Sequence, residues 1–435
     1  MRDILLVAAV VIVALAAVAR PVFGILAFVG ASLLNPHSFT WGYARTFPFA
    51  QFIAVGTLAG LLFWREPKRL PAERETYLLL GLWAIYGLTT LSADSPDAAL
   101  TRLIEVSKIL LMVVASLVLL NTETRLLQLM KVIGLSLGFL GLKAGLFSIF
   151  SGGDYMVWGP EGTFLEANNS IGLALAMNVP ILHFVATVEN NRWVRWTAWA
   201  MLLLSYPAVV CTFSRGAWLG LAAATALIVW RSRKRLPILV VAAILVPLSL
   251  PFLPQRVSNR FDDLENYQQE ESAQSRFWNW EGCARAGMAN PLTGAGFDYY
   301  SVDAYARYFP EFLVHWPDRL WSCHSMWLTI FGEHGFPGAL VWLVLVGSCL
   351  LSLRKLWRSA GGKTSFLPDF GYMVTGSFAA YMVSGTFLDV AYFDLFYQLV
   401  AAIIIAKQMA PIVRSAAVER SQTELSTAVP IEARG

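Results

Sequence analysis

The sequence predicts an all-α polytopic membrane protein with 12 or 13 transmembrane helices and one large outer segment forming a small helical cap. Three observations carry this reading. Of the 435 residues, 57% are hydrophobic and only 14% charged, against roughly 25% charged in a soluble domain. Apolar runs approaching the ~20 residues needed to cross ~30 Å of hydrocarbon recur almost from end to end. The short connections between them alternate between basic and bare. Soluble multidomain and disordered classes are thereby excluded.

The candidate spans are 4–19, 21–34, 47–64, 76–92, 103–120, 126–150, 171–188, 196–213, 216–230, 236–253, 325–353, 368–388 and 390–408. The first is not read as a removable signal peptide. Its apolar run is long, almost no basic residue precedes it, and it feeds directly into more apolar sequence. Only Arg20-Pro21 divides it from the second, so a partly inserted hairpin is an alternative to two spans. Pro and Gly inside later spans are tolerated where neighbours satisfy the freed backbone groups. Loops 65–75, 121–131, 189–196, 231–235 and 354–367 carry 16 basic residues, whereas 92–102, 151–170, 214–216 and 389–394 carry two. The positive-inside rule assigns the first set and the C-terminal tail to the cytoplasm. The second set and the long segment 254–323 then face the other side. The chain divides into an N-terminal transmembrane bundle (1–253), an outer loop domain (254–324), C-terminal transmembrane helices (325–408) and a cytoplasmic tail (409–435). From Ala410 the tail is rich in Ser, Thr and Ala and is expected to be disordered.

Charge and cysteine set further bounds. A net charge of +4 is no nucleic-acid signature. Cys211, Cys283, Cys323 and Cys349 show neither C-x-x-C nor metal-ligand spacing. Cys283 and Cys323 share the outer segment, where a disulfide and two unpaired thiols are the alternatives. Residues 254–323 hold six Arg, no Lys, ten acidic and fourteen aromatic residues. Rings at that density suit interface anchoring or the faces of sugars. The Arg groups suit bidentate phosphate binding or structural ion pairs.

The segment closes with Trp321-Ser322-Cys323-His324-Ser325, followed by Glu333-His334-Gly335-Phe336-Pro337-Gly338. Upstream stand Arg276-Phe277-x-x-Trp280, Asn290-Pro291-Leu292-Thr293-Gly294-Ala295-Gly296-Phe297, Ser214-Arg215-Gly216, and Gly162-Thr163-Phe164 with Asn168-Asn169. His-Ser-x9-Gly-x2-Gly, together with the Pro-Leu-x-Gly-x-Gly stretch, resembles the bacterial O-antigen ligase and O-antigen polymerase superfamily. The wording is most similar to the O-glycosylation ligases associated with exosortase systems. The resemblance covers most of the chain. It implies a glycosyltransferase of the inner membrane with its active site facing the periplasm. The donor would be a preassembled glycan on undecaprenyl diphosphate, and the acceptor a hydroxyl on a lipid, protein or polysaccharide. It implies no metal, no nucleotide and no other cofactor.

The chemistry can be read from the residues as well. The attacking hydroxyl must lose a proton, and the departing diphosphate gains charge. A neutral imidazole titrates near working pH, which makes His324, at the entry to a span, the candidate base. Fixed guanidinium groups favour the charge that develops on the leaving group. Arg215 and Arg276 are the candidates for the donor diphosphate, with snorkelling or ion pairing as the alternative. Arg285 is a secondary candidate. Glu166, Asn168 and Asn169 would bind sugar or orient His324, or else cap the span at 171–188. Glu333 and His334 lie where Pro337 is expected to break the helix. Two other readings remain: a polymerase of the same superfamily, and a transporter using ionisable residues within spans. The second rests on Glu105, Lys108, Lys143 and His183, with Glu105 and Lys108 spaced to pair.

Overall fold

The computed structural model describes residues 2–40, 42–232, 235–236, 271–316, 320, 322–359 and 365–427. Among these the secondary structure is helical, with no strand. A helix satisfies its backbone polar groups internally, which a lipid environment requires. The helices in chain order are α1 (Arg2–Ala19), α2 (Pro21–Leu34), α3 (Phe49–Phe63), α4 (Arg74–Thr90), α5 (Pro96–Leu119), α6 (Glu123–Phe150), α7 (Asn168–Val188), α8 (Arg192–Val210), α9 (Arg215–Arg231), α10 (Glu271–Ala289), α11 (Val302–Tyr308), α12 (Pro310–His315), α13 (Met326–Trp357), α14 (Leu367–Gly385) and α15 (Asp394–Thr427). Each predicted span except 236–253 has a helix in its place. That span beyond Leu236, and the outer segment as far as residue 270, lie outside the described residues.

The chain is an all-α polytopic membrane protein. Among the described residues, α6, α7 and α13 are long and apolar enough to cross a bilayer alone, whereas α1, α2 and α3 are apolar but shorter. That is fewer than the 12 or 13 spans expected. Several of the others begin with charged turns, such as Arg74-Glu75 in α4 and Arg192 with Arg195 in α8. Large apolar side chains face outward on many helices, including Leu15, Val55, Leu62, Leu203, Leu219 and Leu340. A surface of that kind calls for lipid or a partner.

Sequence chemistry sets the helix ends. Pro21 and Pro96 stand in the first turns of α2 and α5, where a missing N–H costs nothing. Thr122, Asn191 and Ser214 accept hydrogen bonds as the N-caps of α6, α8 and α9. Small residues let helices approach closely. Gly138, Gly141 and Gly145 line the face of α6 that meets Met201, Ser205 and Leu204 of α8. Helices α1 and α2 form a hairpin about Arg20 and pack on α3, with Gly56 against the Ala14 carbonyl.

The connections gather at two opposite ends. At one end Arg125 grips Glu66 through two 2.8 Å hydrogen bonds, Lys131 pairs with Glu189, and Arg231 meets Asp369 at 2.8 Å. Fully buried Glu75 lies there too, held by Lys407 at 2.7 Å, Ser348 at 2.5 Å and Ser352 at 2.7 Å. These are the basic loops of the sequence. At the other end Arg45 pairs with Glu161, and Asp94 accepts from Arg307 (2.7 Å) and Tyr308 (2.5 Å). There Phe164 packs on Phe393. This is the bare set, and helices α10 to α12 cover it as a cap.

Two expectations need correction. The segment expected to be disordered from Ala410 continues as helix to Thr427. Its Ala, Glu, Gln, Arg and Leu residues favour helix. Glu105 pairs with Arg102 at 2.8 Å rather than with Lys108.

Candidate functional site

The site is built on a break in α13. Gly335 has φ 62° and ψ −162°, and Pro337 follows within the same helix. Pro337 has no N–H to give the Glu333 carbonyl, and the kink frees the Gly332 carbonyl as well. The Pro-Leu-x-Gly-x-Gly loop supplies the missing partners. Ala295 N–H donates to Gly332 O at 2.8 Å and Gly296 N–H to Glu333 O at 3.0 Å, while Phe336 N–H reaches Pro291 O at 2.8 Å. A Cβ at Gly294 would overlap the Glu333 backbone, and one at Gly335 would stand 2.6 Å from the Pro291 oxygen. The motif glycines therefore let one backbone lie directly against another.

His324 precedes α13 and takes a left-handed conformation, φ 49°. Its neighbours fix it on both sides. Cys323 is disulfide-bonded to Cys283 of α10, with Cα atoms 5.9 Å apart. On the other side, Ser325 O accepts from the Thr329 N–H at 2.8 Å. The disulfide, left open by the sequence, is thus formed. Burial pushes the His324 pKa below the ordinary histidine value; Asp389 opposes that shift and Arg276 adds to it. The imidazole is therefore neutral near pH 7, within the fields of one carboxylate and one guanidinium. Asp389 is anchored by the Thr329 hydroxyl at 2.7 Å.

Arg276 thus acts on His324 through its charge. One helical turn beyond Arg276, Trp280 packs against Phe387 with the rings tilted and their centroids 6.1 Å apart. Arg215 opens α9. The adjacent Gly216 packs against Ser384 and Phe387, and its carbonyl accepts from Ser384 Oγ at 2.8 Å. Gly216, next to Arg215, and Trp280, one turn from Arg276, therefore border the turn that joins α14 to Asp389.

The secondary candidates fare differently. Arg285 is occupied by Glu281 (2.6 Å) and Glu311 (3.2 Å) and lies over the Phe309 ring, which makes it a strut between α10 and α12. Glu166 accepts from Gly162 N–H within its own loop. Asn168 donates to Thr212 O at 2.8 Å and so ties the start of α7 to the turn before Arg215. The N-cap of α7 is Ala167, so neither asparagine caps that helix. Asn169 is half-buried beside Asn168.

Glu333 and His334 are buried. Tyr392 donates to Glu333 Oε2 at 2.5 Å. Its single proton being used, it accepts from His334 Nε2 at 2.8 Å, leaving Nδ1 to accept from Thr89 Oγ1 at 2.7 Å. Asp298 N–H completes the cluster on Glu333 Oε1 at 3.0 Å. Both His334 nitrogens are engaged, so this histidine organises the break and is not offered to a substrate.

Sequence reasoning passed over Arg102, Asp298, Asp389 and Tyr392. Burial raises the Asp298 pKa, which Arg102 opposes, its Nε 3.9 Å from Asp298 Oδ2. Arg102 also lies over the Tyr392 ring at 5.6 Å. It lines a cavity of about 310 Å³ with Glu105, Asp389, Tyr392, Asp394 and Phe164. The outer loop 389–394, acidic and aromatic between two spans, was the available signal. Among the described residues, no group of three or more His, Cys, Asp or Glu is placed to hold a metal.

The stretch that carries Arg215, Arg276, His324 and the α13 break has a known likeness. Residues 199–343 match the O-antigen ligase family. Residues 1–190 match a second family, one of unknown function (DUF5935). None of the curated proteins matches the chain. The O-antigen ligase match covers both guanidinium candidates and the imidazole, while the loops bearing Glu166 and Asp389 lie outside it. It supports an O-antigen ligase or polymerase type of function, that of a glycosyl-transferring membrane enzyme.

Proposed function

We propose that the protein transfers a preassembled glycan from undecaprenyl diphosphate to an acceptor hydroxyl at the periplasmic face of the bacterial inner membrane. The observation that carries this reading is a half-buried His324 under the charges of both Asp389 and Arg276, with Asp389 also lining a cavity at the bare-loop end. His324 takes the proton as the hydroxyl oxygen forms its bond to the anomeric carbon. The bond from that carbon to the phosphate oxygen breaks, and its electron pair leaves with the lipid diphosphate. Arg276 and Arg215 hold the growing negative charge. Asp389 stabilises the imidazolium as it forms. The cavity beside Arg102 receives sugar, with Tyr392 and Phe164 as ring walls.

Two features support a periplasmic site. The loops of the opposite end hold the basic excess. The disulfide next to His324 belongs to an oxidising compartment.

The test is reconstitution of the purified protein with a lipid-linked donor and a panel of acceptors. His324→Ala should insert and fold but lose transfer by about 10²–10⁴-fold, the usual contribution of a general base. Normal transfer by that variant would remove His324 as the base. Gene deletion separates the two members of the superfamily. Loss of a ligase leaves the acceptor bare, whereas loss of a polymerase leaves single repeats on it.

A further inference from the structure

Lys143 has no part in the reading above. It lies in α6, seven residues before the helix ends at Phe150, which is about 10 Å along the axis from the bare-loop end. A cation at such depth is costly unless something compensates it. Its ammonium rests 4.7 Å from the centroid of the Phe39 ring, and among the described residues no carboxylate stands within ion-pair distance of it. The nearby Glu161 is neutralised by Arg45.

Beside Lys143 is a cavity of about 350 Å³, walled by Phe39, Phe147 and Trp158, with Ser38 and Glu161 at its polar side. On the same helix Phe139, Leu146, Ile149 and Phe150 are exposed, so the cavity adjoins a lipid-facing surface. A space of this size holds a headgroup and is too small for a long glycan. One positive charge met by a ring face and by no carboxylate, with apolar walls, calls for a ligand with one negative charge and an apolar body.

We propose that this cavity binds a lipid carrying an anionic phosphate headgroup, at a site separate from the His324 centre. The phosphate meets Lys143, and the chains lie along the exposed face of α6. This goes beyond the transfer reaction and depends only on the bare-loop end lying at a membrane surface. The loop 156–161 that roofs the cavity continues into Phe164, a wall of the cavity beside Arg102. A bound headgroup would therefore brace one side of the reaction site.

Native mass spectrometry of the full chain in detergent tests this, using phosphatidylglycerol, phosphatidylcholine and inorganic phosphate as probes. Phosphatidylglycerol should be retained by the unaltered protein and by Lys143→Arg. It should bind about fivefold more weakly or worse to Lys143→Gln, the scale of one basic residue at an anionic surface. Ala144→Phe, which fills the cavity and keeps the charge, should lose it too. Equal retention by the unaltered protein, Lys143→Gln and Ala144→Phe would overturn the proposal, as would equal retention of phosphatidylcholine. Displacement of phosphatidylglycerol by millimolar inorganic phosphate would make this a free-phosphate site and reject the lipid. The readout is binding, so it stands or falls separately from the role of His324.

Discussion

Two histidines ten residues apart are set to opposite tasks by their surroundings. His334 has both nitrogens tied, to Thr89 and Tyr392, in a fully buried cluster. His324 is half-buried and lies within the fields of Asp389 and Arg276. Its lowered pKa fixes the sign of a pH effect. The neutral form persists below the usual histidine value of ~6.5, so kcat/KM for transfer should stay flat through pH 7 and fall only at pH values below ~6.5. An acid limb with its midpoint above ~6.5 would contradict the field assigned to Arg276 and the burial of the ring. The sequence singled out both histidines by motif but could not tell them apart, because Thr89 and Tyr392 stand 245 and 58 residues away from His334. Asp389 was hidden for the same reason. Nothing near it in the chain resembles a motif, and only the fold sets it beside His324.

At the scale of elements, the broken α13 and the loop 290–297 form one unit. The sequence spelled out the glycines and the proline; the backbone pairing that they serve emerges only when the two segments meet. Gly335→Ala would force a side chain into a conformation costing about 1–3 kcal/mol, and against the Pro291 carbonyl as well. We expect a fall in unfolding temperature together with lost transfer, measurable by thermal denaturation in detergent. An unchanged melting temperature would show that the break tolerates a side chain. The Cys283–Cys323 bond is the second device at this scale, fixing the residue before His324 to the helix that bears Arg276. Cys283→Ser should cost about 2–4 kcal/mol and lower transfer to the level of the dithiothreitol-treated parent. Full activity after reduction would mean that Ser325 and Thr329 suffice to hold His324. Composition could raise this bond as one of two options; choosing between them needed the 5.9 Å Cα separation.

Across the whole molecule, loop charge was the most legible feature. Among the described residues the basic and bare connections separate to opposite ends of the helix bundle. Helix counting was less secure: a span of modest length is carried by its neighbours as much as by its own apolarity. Glu75 shows how the far end is held. It is fully buried, and it joins α4 to α13 and α15 through Ser348, Ser352 and Lys407. Breaking a buried pair costs about 3–5 kcal/mol. Glu75→Ala should fall at the lower end of that range, since Lys407 keeps Glu73 at 2.7 Å. Chemical denaturation of the detergent-solubilised protein gives this value, and a change below ~1 kcal/mol would show that the cluster contributes little.

The pairing of residues 291–296 with the backbone of α13 also bears on how the protein can be dissected. By hydropathy the chain invites a cut at 324, with a water-soluble fragment on one side and membrane segments on the other. Excised there, the fragment would carry the Ala295 and Gly296 amides bare, and α13, left intact on the other piece, would keep two carbonyls with nothing to accept from. The visible border between polar and apolar sequence runs through the middle of one folding unit, so neither piece is a self-sufficient domain.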